Sequence, residues 1–114
     1  MDDRGLPGAA QSVDGTAYDF RTPRPVGDLV LDHPFGDLDG GPIRLAADGR
    51  AITLTLGESC RWVHVFSCDT HDPPRQALAV EPMSCPPDAF RSGTDLVVLE
   101  PGETHRLSYA ITGS

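Results

Sequence analysis

Apolar side chains recur at every second position in several stretches of this chain, the period of a half-buried strand. "AITLTL" (51–56) sets Ile52, Leu54 and Leu56 on one face and Thr53 and Thr55 on the other. "RWVHVFS" (61–67) alternates Trp62, His64 and Phe66 against Val63 and Val65. "QALAVE" (76–81) opposes Leu78 and Val80 to Ala77, Ala79 and Glu81, and "HRLSYAI" (105–111) opposes Leu107, Tyr109 and Ile111 to Arg106, Ser108 and Ala110. "DLVVL" (95–99) is apolar on both faces, which predicts a central strand.

Turn-forming clusters separate these runs at 36–42, 47–50, 69–74, 91–94 and 100–103. The 12 glycines and 11 prolines fall between apolar runs, as punctuation of short strands rather than low complexity. No window sustains a 3.6-residue period. The pattern predicts an all-β chain with antiparallel neighbours, a β-sandwich or part of one. Residues 13–35, rich in proline and charge yet carrying Tyr18, Phe20, Leu29, Val30, Leu31 and Phe35, are expected to lie extended over something apolar. Residues 1–15 read as loop, so the chain enters in mid-fold, and its 114 residues amount to a single, partial domain.

A net charge of −8 and a pI near 4.7 argue against nucleic acid or an anionic membrane surface as partner. Aromatic residues are 6% of the chain, too few for a base-stacking platform, and no apolar run is long enough to span a bilayer. Cys60, Cys68 and Cys85 are odd in number and lack CxxC spacing, which suggests reduced thiols and a cytoplasmic location.

Two carboxylates end apolar runs beside prolines. Glu81, in "AVEPMSCPPDAF" (79–90), shares a face with the small Ala77 and Ala79 and precedes Pro82, Pro86 and Pro87. Partial burial there would raise its pKa toward that of a general base; the alternative is a strand-end glutamate pointing at solvent. Asp32, in "VLDHPF", either binds a polar ligand or caps the proline turn after it. Cys60, His64, Cys68 and His71 would share a helical face and suggest zinc. On a strand, positions i and i+4 lie about 13 Å apart, too far for ligands about 2.0–2.3 Å from one metal, so no metal site is expected. No phosphate loop, nucleophile elbow or Ser/His/Asp order is present, and no cofactor is expected.

Three collinear segments resemble the C-terminal part of the aldose 1-epimerases (galactose mutarotases) of bacterial type. They are "VDGTAYDFRTPRPVGDLVLDHPF" (13–35), "ALAVEPMSCPPDAF" (77–90) and "VVLEPGETHRLSYAI" (97–111). The resemblance implies a β-supersandwich, an aldohexose substrate, and interconversion of its α and β anomers without a cofactor. It implies that Glu81 is the general base acting on the anomeric hydroxyl and that Asp32 hydrogen-bonds the sugar. The histidine motif that supplies the family's general acid lies upstream of the matched region, and His33, His64, His71 and His105 stand in no such motif. An upstream segment or another chain would have to supply those histidines. The other readings are a carbohydrate-binding or structural sandwich module without chemistry, and one half of a split enzyme; a large exposed apolar face would favour a missing half.

Overall fold

The computed structural model describes residues 11–113. They form strands β1 (Asp32–Phe35), β2 (Ile43–Ala47), β3 (Arg50–Leu56), β4 (Trp62–Phe66), β5 (Ala79–Met83) and β6 (Tyr109–Gly113), with one helical turn, α1 (Ala89–Ser92), before β6. Every ladder is antiparallel. Sheet A has the order β1-β4-β5 and sheet B the order β2-β3-β6. The chain is all-β, as the alternation predicts.

The β2–β3 hairpin shows how local sequence sets register. Asp48 and Gly49 both have positive φ, 53° and 75°, which a two-residue turn matched to strand twist requires. Glycine adopts that region without cost and aspartate tolerates it. Ala47 therefore faces Arg50, and Leu45 faces Ile52. The turn at 47–50 was expected; β2 was not.

Three strand expectations are corrected. β5 begins at Ala79 rather than Gln76 and runs through Pro82. Sheet A tolerates that proline because β5 is an edge strand, laddered to β4 alone. β6 begins at Tyr109 rather than His105. The run 95–99, expected as a central strand, joins no ladder, and Val97, Val98 and Leu99 are exposed. A strand apolar on both faces needs a neighbour on each side, and none of the described strands runs beside it. Of the loop expected over 1–15, the first ten residues lie outside the described residues; Val13–Thr16 form a hydrogen-bonded turn.

The core is thin. Leu31, Leu54, Val63, Cys60, Cys68 and Ala51 are buried, but none of the described side chains is completely withdrawn from solvent. The Tyr18 ring lies 4.6 Å from that of His33, a contact within the segment 13–35 itself, of which only Leu31 is buried.

Candidate functional site

Sheet A brings the two sequence-predicted carboxylates together. β4 lies between β1 and β5, with Pro34, His64 and Glu81 in register across the three strands and Asp32, Phe66 and Ala79 in the next matching row. Opposed residues share a face, as do residues two apart on one strand. Asp32, His64 and Glu81 therefore occupy one face, with Trp62, Phe66 and Met83 beside them.

His64 is the joint of this cluster. Its Nε2 lies 2.7 Å from Asp32 Oδ1, and the histidine is buried while the aspartate is half exposed. Its Nδ1 is buried without a hydrogen-bond partner. With the Nε2–H donating to Asp32, a neutral ring leaves Nδ1 as a bare acceptor facing the interior. The expectation that Asp32 either binds a ligand or caps a turn thus gains a third element: one carboxylate oxygen is engaged across the sheet.

A clasp just before Asp32 fixes where that carboxylate starts. Leu31 donates its N–H to Ser67 Oγ at 2.9 Å and accepts from the Ser67 N–H at 2.8 Å. The Ser67 hydroxyl bonds the Asp69 carboxylate, which accepts from Arg75 Nη1 at 2.7 Å. Arg75 reaches on to the carbonyls of Gly27 and Leu29. The Ser67 hydroxyl first, then Arg75, hold the Asp69 carboxyl below its ordinary range. On the opposite face, His33 Nδ1 accepts the Asp32 N–H at 3.0 Å, and burial lowers the His33 pKa. The backbone of Asp32 is held by both neighbours.

Glu81 is the third of five residues in β5 rather than its last, and the ladder on β4 holds it as firmly as the prolines that follow. It is exposed, as in the second of the two readings open to it, a glutamate directed at solvent, and not partly buried. Beyond it, Trp62 donates its indole N–H to Asp95 at 2.8 Å, and Arg61 pairs with the same carboxylate at 3.1 Å. The Trp62 ring lies so close to Gly36 that a Cβ there would sit 2.8 Å from it. Two depressions among the described residues lie elsewhere, one bordered by Glu58, Ser59, Asp95 and His105, the other by Val26, Leu45 and Leu78. None of Asp32, His64 and Glu81 borders either depression.

Cys60 and Cys68 lie beyond opposite ends of β4, and His71 packs edge-on against Phe66 at 5.5 Å. The helical face that would gather Cys60, His64 and Cys68 does not form. His64 is the site residue that sequence reasoning missed. Alternation already put it on the Trp62–Phe66 face; what the pattern lacked was the knowledge that β1 and β5 flank β4.

Residues 1–112 match the family model described as aldose 1-epimerase. A protein of Escherichia coli (strain K12) described as "Uncharacterized protein YihR" is 36% identical over 114 residues, which cover 99% of this chain and 36% of that protein. The chain thus spans about a third of the length of this curated relative. No solved structure matches.

Proposed function

The chain belongs to the aldose 1-epimerase family, and from that premise we propose that it forms the base-bearing wall of an enzyme interconverting the α and β anomers of an aldohexose such as galactose or glucose. Glu81 takes the proton of the anomeric hydroxyl. The bond from the anomeric carbon to the ring oxygen breaks as that oxygen receives a proton, rotation exposes the other carbonyl face, and the reverse steps close the ring. Asp32 accepts a hydrogen bond from a sugar hydroxyl through the oxygen that His64 leaves open, and His64 keeps the carboxylate turned to the sheet face. The observation that carries this reading is the convergence of Asp32, His64 and Glu81, drawn from three strands, on one face of sheet A.

An exposed glutamate is accessible to a sugar, and its proton transfer needs a partner acid at the ring oxygen. Histidines from the part of the family's length outside this chain would provide it. The isolated chain is therefore expected to be a poor mutarotase, tested by polarimetry on freshly dissolved α-D-galactose; brisk Glu81-dependent acceleration by the chain alone would overturn the requirement for a further segment. In a completed, active form, Glu81→Gln is expected to lower kcat by about 10²–10⁴-fold. Near-normal turnover would remove Glu81 from the mechanism.

A second reading, a carbohydrate-binding module without chemistry, is favoured by the openness of the site face. It differs in outcome: sugar binds to the completed form without faster mutarotation. Among the described residues no helix is long and apolar enough to cross a membrane, and the three cysteines are free thiols. A cytoplasmic location fits those thiols and is part of this proposal.

A further inference from the structure

Trp62 stands on the same face of sheet A as Asp32, His64 and Glu81, and its surroundings fix how the ring lies. The β1–β4 register, continued by one residue past Phe35 and Val63, sets Gly36 opposite Trp62. A Cβ at Gly36 would meet the ring's Cη2 and Cζ3 at 2.8 Å and its Cε3 at 3.0 Å. These are three consecutive atoms of the six-membered ring at nearly equal distances, whereas an edge-on approach would bring the middle one much closer than its neighbours. The indole therefore lies flat over Gly36, with its other face turned away from that backbone. Its N–H is engaged by Asp95 at 2.8 Å, and Arg61 braces the same carboxylate at 3.1 Å.

What remains to this half-buried indole is one π face. Such a face carries partial negative charge and attracts C–H groups rather than hydroxyl oxygens. A pyranose offers that match, since its hydroxyls crowd the rim of the ring while C–H groups populate its faces. Trp62 is also a diagonal neighbour of Glu81: His64 opposes Glu81, and Trp62 lies two residues before His64. Diagonal neighbours stand about 7–8 Å apart, a separation that one hexose can bridge. The ring reaches from β4 over β1, the strand of Asp32, so a sugar held between Glu81 on β5 and Asp32 on β1 crosses β4 beside it. Phe66, the other aromatic side chain of this face, is already met by the His71 ring at 5.5 Å.

We propose that Trp62 is the apolar platform of the sugar site, the free face of its indole packing against C–H groups on the side of the pyranose remote from the anomeric carbon while Glu81 meets the anomeric hydroxyl. Gly36 is then the residue that lets the platform lie flat, and Asp95 the one that keeps it from rotating. The inference rests on the sugar site proposed at Glu81 and Asp32. Covering on the order of 50 Å² of apolar surface at such a contact corresponds to about tenfold in Kd.

Trp62 is the sole tryptophan of the chain, so indole fluorescence and the indole N–H resonance report this contact alone. The test titrates the full chain with D-galactose and with D-glucose, and records saturation-transfer NMR on irradiation of the indole protons. A saturable change in emission is expected, with transfer to the C–H protons of the sugar. Trp62→Leu should raise Kd about tenfold, followed at the His64 ring resonances, and Trp62→Phe should fall between the two. Gly36→Ala keeps the tryptophan but displaces its ring and should weaken binding by a similar factor, which preserves the test where Trp62→Leu does not fold. Asp95→Asn, which retains an acceptor for the indole N–H, should bind like the parent, and Asp95→Ala should not. Two results overturn the proposal and tell its premises apart. If sugar shifts the His64 resonances and leaves the indole unmoved, the sugar site stands and Trp62 is a packing residue. If neither moves as the sugar approaches its solubility, the sugar site fails and the platform with it.

Discussion

Sheets A and B have the same plan, a central strand antiparallel to both neighbours, and opposite fates. Sheet A is tied in. Leu31 is buried against it, Ser67 clasps the strand entry, and Tyr18 packs on His33. Sheet B has the cleaner alternation and the less finished structure, its apolar face buried at Leu54 but open at Ile52, Tyr109 and Ile111. Alternation states which face of a strand is to be buried; what buries it is a separate matter, decided by segments that pass across that face. The most sensitive probe of this contrast is paired truncation. Leu31→Ala, at a site 2% exposed, is expected to destabilise the chain by about 2–4 kcal/mol. Ile111→Ala, at a site 64% exposed, should change stability by less than about 0.5 kcal/mol. Urea unfolding of both variants measures the difference, and equal losses would mean that sheet B is already covered in the free chain.

The clasp gives a smaller, more local effect. Ser67→Ala leaves the buried Leu31 N–H without its acceptor and Asp69 without its hydroxyl donor. A loss of about 1–3 kcal/mol follows. The Asp32–His64 bond should loosen with it, visible as a shift of the His64 ring resonances. A stability loss with those resonances unmoved would separate the clasp from the positioning of Asp32.

How much of this was legible in the sequence can be judged strand by strand. β3 and β4 were plain, because Ile52, Leu54 and Leu56, and likewise Trp62, His64 and Phe66, each keep a strict period of two. β2 was hidden: "IRLAA" has only two large apolar residues, and the Asp48–Gly49 turn was its stronger signal. The run 95–99 has the composition of a central strand, but a ladder requires a neighbour and composition does not name one. For the site, the two carboxylates were legible as apolar runs ending against proline. Their convergence was not, nor was His64 between them, because strand order is a long-range property that no single segment encodes. Alternation left Glu81 either in a half-buried niche or directed at solvent, and it is exposed.

The finest contrast lies in how each part of the molecule responds to acid. Burial lowers the His33 pKa from its ordinary 6.5, helped by the nearby His64 and opposed by Asp32, while its Nδ1 accepts the Asp32 N–H. The unfolded chain therefore binds a proton near pH 6.5 that the folded chain refuses until lower pH, and folding stability contributed here is complete above pH 6.5 and lost as pH falls through the folded value. Asp69, held down by Ser67 and then Arg75, and Asp95, held down by Trp62 and then Arg61, act in a lower window. Their contribution is present above the ordinary 3.8 and is lost as pH falls through their depressed folded values. Urea midpoints measured downward from pH 7.5 should thus fall in two stages. His33→Asn, whose Oδ1 can still accept the Asp32 N–H, should erase the first stage and keep the second. A first stage that survives the substitution would assign it to another group and leave His33 a packing residue under Tyr18.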